Sequence, residues 1–163
     1  MAEIIKAYKE SVPAMRFIGK RYTDDDRVGG LFSAKWGEWF ENGWFDLLEK
    51  LGQPNGMDNG HVAYCTFDEN NSFNYWIGRF TPENTAVPDG FSHLDFPAGG
   101  LAVCHVYGKS PDIYGKEKMC GDRLKADGFS IDDSRTFERY NCPRFTTPDE
   151  QGNVILDICF LLK

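Results

Sequence analysis

The stretch Thr136–Cys142, TFERYNC, and the apolar run Val154–Leu162, VILDICFLL, decide how the chain is read. Alternate residues of a strand share a face, so Glu138 and Tyr140 point one way and Phe137 and Arg139 the other. A carboxyl beside a phenol, in a chain that is 15% aromatic, suggests a ligand pocket with one anionic centre. The competing reading is a solvated Glu on a half-exposed strand, since Glu is rarely buried. The rest of the chain has to decide between them.

Upstream of this hairpin, Leu101–Tyr107 (LAVCHVY) reads as a strand stopped by Gly108, and Phe91–Phe96 as a shorter strand before the turn PAGG. Between them and TFERYNC, Ser110 and Pro111 offer an N-cap and a first helical position for a helix to about Ala126. The first half repeats the order. Met15–Tyr22 is a strand. From about Arg27, Phe32, Trp36, Trp39, Phe40, Trp44, Leu47, Leu48 and Leu51 recur at three- and four-residue steps, predicting a long amphipathic helix and a shorter one divided at Asn42–Gly43. Gln53–Gly60 is a loop, and His61–Phe67 and Ser72–Phe80 form a hairpin about the turn DENN.

Both halves thus read strand, helix, strand, turn, strand. Such a unit cannot bury its helix face and its sheet face alone, but two can merge their strands. The expected fold is α+β: residues 1–163 form a single domain, with pseudo-twofold-related units in one mostly antiparallel sheet. Two main helices lie on one face, with a groove between them. Grooves of this kind are common ligand sites.

The chain has 163 residues, 41% hydrophobic and 26% charged, with a net charge of −7. It is long enough for a real core. The acidic balance and the lack of a basic cluster argue against direct nucleic-acid binding and favour neutral or cationic small ligands. No apolar stretch approaches the roughly 18 residues that span a membrane, and no targeting segment opens the chain, so a cytoplasmic location away from membranes is expected. The five cysteines are scattered without metal-ligand spacing and read as free buried thiols, so neither metal nor other cofactor is expected.

The runs FSAKWGEWFENGWFDLL, AYCTFDENNSFNYWIGRF, HLDFPAGGLAVCHVYG, TFERYNC and VILDICFLL resemble the GyrI-like small-molecule-binding superfamily, which also supplies effector domains of AraC-type and Bmr-type regulators. The resemblance covers about residues 12–163. Its more specific parts are the proline–small–Gly turn of Phe96–Gly108, the hairpin entry Tyr64–Asp68, and the strand Phe137–Tyr140. It implies an aromatic groove around a Glu, here Glu138, that receives bulky hydrophobic or cationic compounds. It also implies that some stand-alone members hydrolyse strained cyclopropane rings of alkylating natural products, while others inhibit gyrase or bind drugs. No DNA-reading segment precedes the domain, so a stand-alone member is expected, with its protein partner unknown.

The candidate ligand-binding residues are Trp36, Trp39, Phe40, Tyr64, Tyr75, His105, Tyr107, Tyr114, Glu138 and Tyr140. Aromatic walls supply buried area and attraction for cations, which a buried carboxylate rewards further. Tyr75 shares a strand face with Ile77, and Trp76 takes the other; alternation leaves open which face is core. Capture of a small hydrophobic or cationic molecule is the leading function. The alternative is a hydrolase in which Glu138 positions or activates water and Tyr140 donates to the oxygen that gains charge. A gyrase-modulating interaction protein is a third reading.

Overall fold

A computed structural model describes residues 1–57 and 60–163; of the expected loop Gln53–Gly60, Asp58 and Asn59 lie outside the described residues. The strands are β1 (Glu3–Val12), β2 (Met15–Tyr22), β3 (His61–Phe67), β4 (Phe73–Pro82), β5 (Ser92–Phe96), β6 (Gly99–Gly108), β7 (Ile131–Tyr140) and β8 (Val154–Leu162). The helices are α1 (Ser33–Glu41), α2 (Trp44–Glu49) and α3 (Glu117–Ala126). All eight strands form one antiparallel sheet in the order β1-β6-β8-β7-β3-β4-β2-β5.

That order is a pseudo-twofold about the seam between β7 and β3, as the repeated order of elements predicts. The halves also exchange their leading strands. β1 precedes β2 in the chain but pairs with β6, and β5 precedes β6 but pairs with β2. Here the expectation that the first strand begins at Met15 is corrected. β1 is an edge strand whose sequence, EIIKAYKESV, carries charge along its length, and that charge hides it from a hydrophobicity pattern.

The helix boundaries differ from expectation as well. The first helix begins at Ser33, with Asp24–Asp26 forming a separate short turn of helix. Gly43 takes a left-handed conformation, φ 66°, and divides α1 from α2. The third helix begins only at Glu117, because Gly115 turns left-handed, φ 72°, and breaks any helix started at Pro111.

Register assigns each residue to a face. Ile18, Ile77 and Phe45 pack with Trp39 and Leu48 beneath α1 and α2. Ala102, Cys104, Ile158 and Phe160 pack with Cys120 and Leu124 of α3. The helices therefore share one face. The opposite face carries Phe17, Tyr64, Trp76, Phe80, Leu101, Val103 and Phe137, a core drawn from strands and loops. The sheet covers this core by curling. The rings of Tyr64 on β3 and Phe96 on β5 lie 5.6 Å apart, although three strand spacings separate them and would span about 14 Å if flat. Among the described residues, no helix is long and apolar enough to cross a membrane.

The curl needs glycine where β2 and β4 pair. A Cβ on Gly78 would lie 2.1 Å from the Ile18 carbonyl oxygen, and one on its partner Gly19 would lie 2.2 Å from that of Ile77. Backbone cannot yield as a side-chain end does. Gly78→Ala is expected to destabilise the fold by about 3 kcal/mol, the upper end for overpacking. That would appear as a fall of roughly 10 °C in thermal midpoint; an unchanged midpoint would show that the strands can separate at little cost.

Candidate functional site

The central seam floors the space between α1 and α3. Across it, Ala63 faces Glu138, Cys65 faces Thr136, and His61 faces Tyr140, all on the helix side. Ala63 is small, so the floor opposite Glu138 is low. Cys65 and Thr136 line a cavity of about 560 Å³ with Phe67, Phe73, Phe160 and Glu117. Glu138 is half-buried beside Glu117, one of the lining residues.

Four of the candidates meet here. The Tyr140 hydroxyl donates to the Glu138 carboxylate. Trp36, projecting from α1, sets its ring 5.0 Å from that of Tyr140 at a near-perpendicular 76°. Its indole N–H donates to the Tyr75 hydroxyl at 2.8 Å. Tyr75 stacks on Phe32, 4.1 Å apart and nearly parallel. Phe145, from the loop between β7 and β8, closes on the other edge of Tyr140 at 4.8 Å. The result is a carboxyl on an aromatic bed whose rings hold one another by hydrogen bonds and edge contacts. Tyr114 stands before α3, partly exposed, and acts electrostatically on Tyr140.

The other candidates lie elsewhere. Trp39 is fully buried and donates to the Tyr22 hydroxyl at 3.0 Å, a core role. Phe40 is exposed and packs against Trp36, Phe45 and His61 on the outer side of α1. Tyr64 faces away from the groove, because it pairs with Phe137 and not with Glu138. His105 and Tyr107 also lie on the far face. His105 contacts Asp157 at 3.4 Å and Tyr8 at 3.2 Å, while the Tyr107 hydroxyl bonds Asp149 and Asn153.

Glu117, Cys65, Phe32 and Phe145 enter the site without having been named from the sequence. Glu117 is an acid in the first turn of a helix, where acids are common for dipole reasons alone. Nothing in the sequence marks it as facing Glu138.

The electrostatics follow from burial. Burial pushes the Glu138 carboxyl up to about 8, and the nearby Glu117 carboxyl adds to the shift. The same burial drives Tyr140 well above its ordinary range and raises Cys65, so neither is poised to ionise. His61 is pushed down to about 4 by burial and by Arg79 beside it, and stays neutral. Among the described residues, no cluster of three His, Cys, Asp or Glu could hold a metal ion.

The chain belongs to the GyrI-like family: residues 8–163 match the family described as the GyrI-like small molecule binding domain. It is a small-molecule-binding domain by that membership. The fold is similar to that of SAV2435, solved with tetraphenylphosphonium bound, at a TM-score of 0.71 and 15% identity over 98% of this chain and 94% of that one. It is similar to the C-terminal domain of EcmrR, TM-score 0.60, 11% identical over 97% of each chain. A hydrolase from Listeria innocua gives a TM-score of 0.55 and 10% identity, covering 97% of this chain and 92% of that one. No curated protein matches the chain.

The Glu138 shift has a consequence for stability. A carboxyl held at about 8 in the folded state binds its proton more tightly than the unfolded chain does. Its stabilising contribution is present below the ordinary Glu range and is lost as pH rises through about 8. His61 works in the opposite direction below neutrality. The difference in stability between the parent and Glu138→Gln should therefore shift steadily against the parent from pH 5 to about 9 in chemical denaturation, with the slope that linkage requires. A difference that stays constant with pH would show that Glu138 is ordinarily solvated.

Proposed function

We propose that the protein captures bulky hydrophobic cations in the aromatic groove around Glu138. The observation that carries this reading is a half-buried carboxyl set against Trp36 and Tyr140, next to Glu117 of a cavity of about 560 Å³, with no Lys or Arg paired with it among the described residues. The nearest cation in sequence, Arg139, points to the other face and is held there by Asp157 and Glu10. A ligand bringing its own positive charge supplies what the chain withholds. The ring faces then add cation–π attraction and area burial. Family membership supports small-molecule binding, and the bound tetraphenylphosphonium in a neighbour of the same fold suggests the probe.

Tetraphenylphosphonium should bind with micromolar-range affinity in titration calorimetry. Replacing Glu138 by Gln removes a charge contact of about 1.5–3 kcal/mol, hence roughly ten- to a hundredfold in affinity. A neutral analogue of similar size should lose much less. Equal losses for the charged and the neutral ligand would remove Glu138 as the charge reader.

One observation favours a second reading. The Tyr140 hydroxyl and the Glu138 carboxyl form a hydrogen-bonded pair beside Glu117 of the cavity, an arrangement that can hold a water and donate to an oxygen gaining charge. If the protein opens activated cyclopropanes, the rate should rise with pH towards about 8 as Glu138 ionises. Glu138→Gln should then lower turnover about a hundredfold or more, with little change in ligand affinity. Mass spectrometry for a gain of one water, across a panel of cyclopropane-bearing alkylators, checks this. No hydrolysis by the parent protein would leave binding as the function.

A further inference from the structure

The binding reading rests on one carboxyl, and the structure places a second across the groove from it. Glu117 opens α3, lines the cavity, and brings its carboxyl within hydrogen-bonding reach of Glu138 on β7. The cations near the cavity mouth are already taken. Lys118 pairs with Asp122 at 2.6 Å and Lys125 with Asp133 at 2.7 Å. The groups facing Glu138 are Tyr140 on its own strand, Cys65 on β3 and Tyr75 on β4, all of them neutral at physiological pH. Burial and the neighbouring Glu117 carboxyl hold Glu138 protonated up to about 8, so near neutrality Glu138 carries a proton.

A cation can engage the two carboxyls in two ways. One that carries no N–H, such as a phosphonium, gains from charge and ring contacts alone. One that carries N–H groups also donates hydrogen bonds, and a planar amidinium or guanidinium presents them as a fork that two carboxylate oxygens can share. Room exists for it. Ala63 opposite Glu138 is small, and Gly121, one helical turn beyond Glu117, presents no side chain to the cavity. We propose that Glu117 is a second charge-reading residue of the groove, selecting aromatic compounds that bear an amidinium or guanidinium over cations without N–H. This deepens the reading of the groove as a cation site and rests on it.

The test uses tetraphenylphosphonium and a biphenyl amidine, titrated by calorimetry near neutral pH. The parent protein should bind the amidine more tightly than the phosphonium. Glu117→Gln should weaken the amidine by about tenfold or more, as expected for a lost charge-assisted bond. It should leave the phosphonium within about threefold, since that ligand makes no hydrogen bond to lose. Equal effects of Glu117→Gln on the two ligands, or none on either, would overturn the role of Glu117 while leaving the cation site standing. A parent protein that binds neither ligand would overturn the cation site itself, and this inference with it.

Discussion

The site depends on where Arg139 is kept. This residue stands between Glu138 and Tyr140 in sequence, and its guanidinium could neutralise Glu138 if it faced the same way. Strand alternation sends it to the opposite face, where it is fully buried and bonded to Asp157 at 2.9 Å and to both oxygens of Glu10. Arg144 and His105 close on the same Asp157. Removing one member of such a buried set leaves a charge uncompensated, at about 3–5 kcal/mol. The network therefore anchors four strands, β1, β6, β7 and β8, and confines the nearest cation to the face away from Glu138. One strand thus carries an ion-paired cation on one side and, on the other, a carboxyl without a Lys or Arg partner among the described residues.

The pseudo-twofold is broken where the ligand would sit. On one side, α1 and α2 bring a dense set of rings, with Trp36, Phe40 and Phe45 in mutual contact. On the other, α3 is polar on its outer face, and it contributes Glu117 and the bare backbone of Gly121. One wall offers polarisable surface and the other offers charge. A symmetric groove would recognise a symmetric ligand; under the proposed reading, this one would distinguish the apolar end of a molecule from its charged end.

How much of this could be read from the sequence depended on the kind of regularity involved. The shared face of Glu138 and Tyr140 was legible because parity on a strand is strict, whereas helical spacing named Trp36, Trp39 and Phe40 alike and could not separate them. The α+β class followed from the repeated order of elements. Tyr64 was misplaced because parity fixes faces within a strand, whereas the relation between β3 and β7 depends on a register set by distant packing. Trp39 and His105 show the limit of residue type, since an indole or an imidazole serves a core or an ion network as readily as a pocket. Glu117 was invisible because its role arises only when a helix from one part of the chain is laid over a strand from another. Charge on β1 masked an edge strand that the sheet requires.

The exchanged leading strands bear on how such a molecule can be assembled. Neither half could stand as a unit: alone, it would leave β2 or β6 with an unpaired edge, and its own leading strand would find a place only on a second copy. A free-standing half would therefore be an obligate pair, dependent on its own concentration. Joining the two halves in one polypeptide replaces that encounter with an effectively intramolecular one. It also frees the two copies to diverge, so that an aromatic wall and an acidic wall can face each other across a seam that a homodimer would have to make identical on both sides.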